Sequence, residues 1–117
     1  MNINKDLMAA SATPLVLAIL AEGDSYGYAI IKRVRELSDG QLEWTDGMLY
    51  PVLHRLERLE FIKARWSKSE TGRKRKYYQL TSQGKAQLAE HRQQWQAVDH
   101  ALRLVWNIMA PLPQAAC

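Results

Sequence analysis

Residues 62–80 read IKARWSKSETGRKRKYYQL, and how this stretch folds decides the architecture around it. In its first half Ile62, Ala64 and Trp66 alternate with Lys63, Arg65 and Ser67. In its second half Tyr78 and Leu80 alternate with Tyr77 and Gln79. Period-two alternation on both sides of a Ser-Glu-Thr-Gly turn predicts a β-hairpin, with Gly72 in the turn. Setting Ile62 opposite Leu80 also sets Ala64 opposite Tyr78 and Trp66 opposite Lys76. The base is then apolar, while Arg73, Lys74, Arg75 and Lys76 make the tip basic. Side chains alternate along a strand, so Arg73 and Arg75 share one face and Lys74 and Lys76 the other. Such a tip can follow a phosphate backbone or enter a minor groove. The plainer alternative is an exposed hairpin whose charges keep it soluble and protect its edge.

Three helical segments precede the hairpin. In LMAASATPLVLAILAEG, Leu15, Val16, Ile19 and Leu20 recur at helical spacing and Gly23 ends the run, so this helix is expected to be largely buried. In SYGYAIIKRVRELSDG, Ile30, Ile31, Val34 and Leu37 form an apolar stripe. Ser25 is the expected N-cap there and Gly40 the C-terminal stop. In TDGMLYPVLHRLERLEFI, Leu49, Val52, Leu53, Leu56 and Leu59 make the stripe. Thr45 is placed to cap, and Asp46 suits the positive end of the helix dipole. Pro51 conflicts with a helix beginning at Thr45, since a proline in a helix interior costs about 3 kcal/mol. Either the helix bends there or it starts later, and spacing alone does not choose.

After the hairpin a long segment runs from Thr81, the expected cap, to Ala110, ended by Pro111 and Pro113. Its inward positions are Leu88, His91, Trp95, Val98, Leu102, Val105 and Met109, a sustained alternation of three- and four-residue steps. A helix this long, about 40 Å, outruns a small three-helix core. Its seam needs a partner, most simply the same helix of a second chain. Three helices, a two-stranded wing and a long helix make an α+β, mostly α, winged helix-turn-helix arrangement. The division expected is a DNA-binding unit at 1–80, a dimerisation helix at 81–110 and a tail at 111–117.

In that arrangement the third helix is the reading helix. With its apolar stripe inward, Gly47, Met48, Tyr50, Pro51, His54, Arg55 and Arg58 are left outward. Gly47 allows close approach of the backbone, and Tyr50, His54 and Arg55 can bond to phosphates or base edges. Tyr26, Lys32 and Thr45 complete the DNA-contacting set with the basic tip, Arg73 to Lys76. The alternative is a merely solvated amphipathic helix. Trp95 also carries two readings. It is a seam residue of the dimer helix, or an aromatic platform whose two copies sandwich a flat ligand, with His91 and Asp99 one turn away on either side. Trp106 beside the seam suits dimer packing, and Trp44 and Trp66 suit core or hairpin packing.

The chain has 117 residues and a net charge of +4, and seven of the cations fall between Lys63 and Lys76 beside one acid, Glu70. The surplus is thus concentrated, which fits an anionic partner better than a uniformly basic surface does. A lone cysteine, Cys117, excludes a disulfide framework, and a cytoplasmic location is expected. The longest apolar stretch, Pro14 to Ala21, is too short for a membrane span. Catalysis finds no support. His54, His91 and His100 stand in no HExxH pattern, no CxxC, P-loop or GxSxG motif is present, and no metal or cofactor is expected. Asp99 and His100 are helix neighbours and point about 100° apart. The rivals are a dimeric protein-interaction module working through the long helix and, more weakly, a small enzyme.

The stretches LVLAILAEGDSYGYAIIKRV, GMLYPVLHRLERLEFI and GRKRKYYQLTSQG, with QWQAVDHAL near the C-terminus, resemble the PadR family of transcriptional regulators over nearly the whole chain. The single short C-terminal helix resembles the small subfamily that includes the lactococcal multidrug-resistance repressor. The resemblance implies a homodimer on a palindromic operator, usually a repressor. It places Tyr50 and the basic wing at the DNA and keeps Pro51 within the reading helix. It also matches Trp95, followed by Asp99, to a tryptophan that stacks planar aromatic effectors.

Overall fold

Side-chain caps start three of the four helices among the described residues. Asn4 caps the first helix, its side chain accepting from the Asp6 amide at 2.8 Å. Thr45 caps the third, its Oγ1 accepting from the Met48 amide at 3.2 Å. The computed structural model describes residues 1–108. Met109, Ala110, Pro111, Pro113, the tail at 111–117 and Cys117 lie outside the described residues. The elements run α1 (Lys5–Glu22), α2 (Gly27–Leu37), α3 (Asp46–Arg58), β1 (Ile62–Lys68), β2 (Lys74–Leu80) and α4 (Ser82–Ile108). The fold is the expected winged helix-turn-helix with a long C-terminal helix.

The helix α3 runs from its Thr45 cap through Pro51 without interruption, so it does not start later. Pro51 leaves the carbonyl of Gly47 without its intrahelical donor. Both residues are exposed, on the side of the helix open to solvent. The stripe Leu49, Leu53 and Leu56 is fully buried, with Val52 partly so. Leu59 falls at the C-cap and is exposed, not part of the stripe. In α2 the stripe is Ile30, Ile31 and Val34, while Leu37 in the last turn points to solvent. Helix α1 buries Ala12, Val16, Leu17, Ile19 and Leu20, with Leu15 at the margin. Arg33 ties α2 to the end of α1, donating to Glu22 at 3.0 and 2.8 Å. That pairing holds the Glu22 carboxyl below its usual range.

The hairpin has the predicted register: Ile62 opposite Leu80, Ala64 opposite Tyr78, Trp66 opposite Lys76, and Lys68 opposite Lys74. Gly72 closes the tip at φ 81°, its amide donating to Ser69, while the Ser69 amide donates to Arg73. This is a three-residue turn with glycine in the left-handed position. Ser25 does not cap α2. Its backbone instead forms a two-bond bridge with Tyr78, at 3.1 and 2.7 Å, and Tyr26 becomes the N-cap residue without a side-chain bond. The bridge adds a third strand fragment to the base of the wing and fastens the wing to the helices.

Thr81 joins the wing to α4. Its hydroxyl donates to the Glu60 carbonyl at 2.7 Å and accepts from the Gly84 amide at 3.0 Å. Gly84 is buried against the Phe61 backbone, and a Cβ there would collide with the Phe61 carbonyl oxygen and with Leu80. Gly84→Ala is expected to lose roughly 1–3 kcal/mol through overpacking, despite the usual helix gain of about 0.5–1 kcal/mol for alanine. Urea unfolding at fixed protein concentration measures it. A raised midpoint would show that α4 is not seated this way.

Candidate nucleic-acid interface

One arc of α3 stays free of the core. Gly47, Tyr50, Pro51, His54 and Arg58 are exposed along it, and no carboxylate interrupts them. Asp46 sits at the helix start and Glu57 turns toward the wing, where it meets Lys76 at 3.8 Å. A Cβ on Gly47 would find only Thr45 Oγ1, at 3.9 Å, so its backbone is open to a close approach. Met48 departs from the outward set: it is half-buried and packs against the core, beside Met8 and Ala12 of α1. Arg55 is exposed at the edge next to α1 and donates to Thr13 Oγ1 at 2.7 Å. Thr45 is exposed but occupied by its capping bond. Lys32 is exposed on α2.

Tyr50 is positioned by a glycine. Its hydroxyl lies where a Cβ of Gly27 would sit, 2.5 Å from that point, and its ring centroid is 6.2 Å from that of His54. The sequence hint was SYGY, in which a buried glycine at the start of α2 is needed for contact and not for a turn. Beneath Tyr50 lies Tyr78, 1% exposed, whose hydroxyl makes no hydrogen bond to the protein.

The four tip cations are not equivalent. The Arg75 guanidinium stacks on the Tyr26 ring at 3.9 Å, and Tyr26 meets Tyr77 edge-on at 5.5 Å. Arg65 extends the row, lying over Tyr77 at 5.1 Å and pairing with Asp24 at 3.2 Å. Tyr26 therefore presents its face to Arg75, and its evident role is to orient that arginine. Lys76 is held by Glu57 and by the Tyr78 ring at 5.4 Å. Arg73 directly precedes β2, its carbonyl accepting from the Ser69 amide at 2.8 Å where the turn closes. Among the described residues no ion pair forms to Lys68, Arg73 or Lys74. Lys68 and Lys74 stand directly opposite each other, an arrangement that destabilises a hairpin unless an anion is near.

Trp66 departs from the packing role expected of it and is 67% exposed on the wing, while Trp44 is buried in the core. Between α2, α3 and the wing lies an open cleft of about 470 Å³ whose lining includes Tyr26, Tyr28, Tyr50, Trp66 and the four tip cations, with no carboxylate. Sequence reading missed Gly27 and Arg65, whose partners lie far along the chain, and Tyr28 and Trp66, which are exposed on this cleft.

The other candidate site lies along α4. Leu88 packs against the core, and His91 and Trp95 are half-buried. They line a second open cleft of about 700 Å³ against Pro14 and Ala18 of α1, together with Lys85 and Arg92. Asp99 is not in its lining, and Arg103 takes its carboxylate at 2.9 Å. Beyond Trp95, the seam residues Val98, Leu102 and Val105 and the adjacent Trp106 are 42–53% exposed within one chain.

Residues 16–90 match the family model "Transcriptional regulator PadR-like family". The chain belongs to the PadR-like family of transcriptional regulators. It is 30% identical to a transcriptional regulator of Clostridium thermocellum of known structure, with a TM-score of 0.78 over 86% of this chain and 95% of that one. A PadR family transcription regulator from Clostridium difficile R20291 is 34% identical, with a TM-score of 0.72 over 81% and 97% of the two chains. The transcriptional regulator YqjI of Escherichia coli is 33% identical over 89 residues, which are 76% of this chain and 41% of that longer protein. Among the described residues no helix is long and apolar enough to cross a membrane.

Burial pushes the Tyr78 phenol up to about 12 from 10.0, with Tyr50 and Glu57 adding to the shift. The fold thus keeps Tyr78 neutral where the unfolded chain ionises. Its contribution to stability is full below pH 10 and is lost as pH climbs from 10 toward about 12. Tyr78→Phe sacrifices no bond to the protein. Its stability relative to wild type is expected to be constant below pH 10 and to rise above it. Denaturation midpoints of the two proteins across that range measure the difference. A flat difference would place the phenol in water.

Proposed function

We propose that the chain is a cytoplasmic, homodimeric, sequence-specific DNA-binding regulator that represses from a palindromic operator. One observation carries the reading. An acid-free arc on α3, with Tyr50 and His54 at its centre, stands beside a wing tip whose cations Lys68, Arg73 and Lys74 form no ion pair among the described residues. An anionic partner would relieve that repulsion, and duplex DNA supplies an anion at each phosphate. Gly47, Tyr50, Pro51, His54 and Arg55 would meet the major groove, with Arg73 and Lys74 on the backbone. Tyr26, Lys32, Thr45, Met48, Arg75 and Lys76 would orient or flank these contacts.

The half-exposed residues Val98, Leu102, Val105 and Trp106 supply the apolar surface for a second copy. Two-fold pairing through α4 would set two reading heads on half-sites about 34 Å apart. A gel shift on DNA upstream of the protein's own gene tests the whole reading. Arg73→Ala and Lys74→Ala are each expected to weaken binding to every sequence and to lower the salt slope by about 1. Unaltered affinity and slope would remove the wing from the interface.

The cleft beside Trp95 favours a flat aromatic effector there. With Lys85 and Arg92 in the lining and no carboxylate, its charge suits a ring bearing an anion better than an aromatic cation. An effector that binds one head spacing better than the other would release the operator. Titration of Trp95 fluorescence with aromatic carboxylates and with planar cations checks this. Quenching by the carboxylates, absent in Trp95→Phe, is expected, and no quenching by either class would leave Trp95 a packing residue.

A further inference from the structure

Trp66 is the largest side chain on the wing without a packing role, being 67% exposed on a two-stranded hairpin. It is not isolated: with Tyr28 and Tyr50 it makes an exposed aromatic patch on one cleft, the kind of surface that marks an interaction site. Register puts it on the same face of the hairpin as Lys76 and Tyr78. That face turns toward α3, since Tyr78 is buried in the core and Lys76 reaches Glu57 of α3. Trp66 therefore lines the cleft between the reading helix and the wing, along with Tyr28, itself 69% exposed, and Tyr50. Arg73 and Lys74 stand at the same cleft, and no carboxylate does.

We propose that this cleft seats one sugar–phosphate segment of the duplex, with the Trp66 ring packed on a deoxyribose and Arg73 and Lys74 on the adjoining phosphate. The inference rests on the DNA-binding reading above and extends it. If α3 occupies the major groove and the wing tip the neighbouring minor groove, the strand dividing those grooves has to pass between helix and wing. A nucleotide unit offers both chemistries the cleft displays: an anionic phosphate and an apolar sugar edge. Trp66 thereby supplies a contact that is not electrostatic, within an interface otherwise dominated by charge.

The two kinds of contact separate by salt. Releasing a phosphate contact lowers the slope of log affinity against log salt, whereas losing an apolar contact shifts the line without tilting it. Operator affinity is measured across a potassium chloride series for wild type, Trp66→Ala, Trp66→Phe and Arg73→Ala, on the operator duplex found by gel shift. Trp66→Ala is expected to bind roughly tenfold or more weakly at every salt, with the wild-type slope and an unchanged Tm. Trp66→Phe is expected to recover most of the loss. Arg73→Ala is expected to tilt the line. Should Trp66→Ala fold poorly, Trp66→Thr, suited to an exposed strand, carries the same comparison. Wild-type affinity in the alanine or threonine variant, or a loss accompanied by a reduced slope, overturns the role given to Trp66. Failure of wild type to bind any duplex overturns the DNA-binding reading itself, so the two failures are distinct.

Discussion

The pairing of Ile62 with Leu80 governs this molecule. Strand side chains alternate, so a slip of one residue would turn Tyr78 and Leu80 out of the core and Tyr77 and Gln79 into it. With the observed register, Tyr78 anchors the wing beneath α3, and its backbone is free to bridge Ser25 ahead of α2. The same register delivers Thr81 to the Glu60 and Phe61 carbonyls, where it caps and seats α4. Helix α3, wing and α4 are all referred to one another through the base of a single hairpin.

The charges follow from that frame. Four consecutive cations at the wing differ in what they touch. Arg75 and Lys76, nearest the base, are held by Tyr26 and by Glu57, and so help dock the wing on the helices. Farther out, Lys74 faces Lys68 across the strands, with Arg73 next to them where the turn closes. Surface pairs such as Arg65 with Asp24 contribute little to stability individually. Their effect is to hold an aromatic and guanidinium row in one geometry. Repulsion kept at the tip is a cost to the free protein that an anionic partner removes.

Helix α4 divides along its length. Its first turns belong to the core, through Gly84 and Leu88, while Val98 to Trp106 face solvent in a single chain. Between the two parts Trp95 borders a cleft on α1. Another face of α1 carries Met8 and Ala12, which border Met48 and Val52 of α3. Helix α1 thus lies between the proposed effector cleft and the proposed DNA surface, and a tilt of α1 would be felt by both.

Much of this was legible in the sequence because it rests on local periodicity. Two-residue alternation marked the hairpin and its register, helical spacing marked the stripes of α1, α2 and α3, and threonines before helical runs marked the caps at Thr45 and Thr81. Periodicity does not report where a stripe ends, so Leu37 and Leu59 were drawn into faces they leave for solvent. It could not decide Pro51 either, because the cost of a proline depends on whether the carbonyl it orphans can reach water. What tertiary structure alone decided was the roles of residues that meet across the chain: Ser25 bridging Tyr78, Gly27 making room for Tyr50, Met48 turning toward α1, Tyr26 taking Arg75, and Trp66 left uncovered beside α3. Those contacts join positions more than twenty residues apart in most cases, and only the packing of helices against the hairpin brings them within reach.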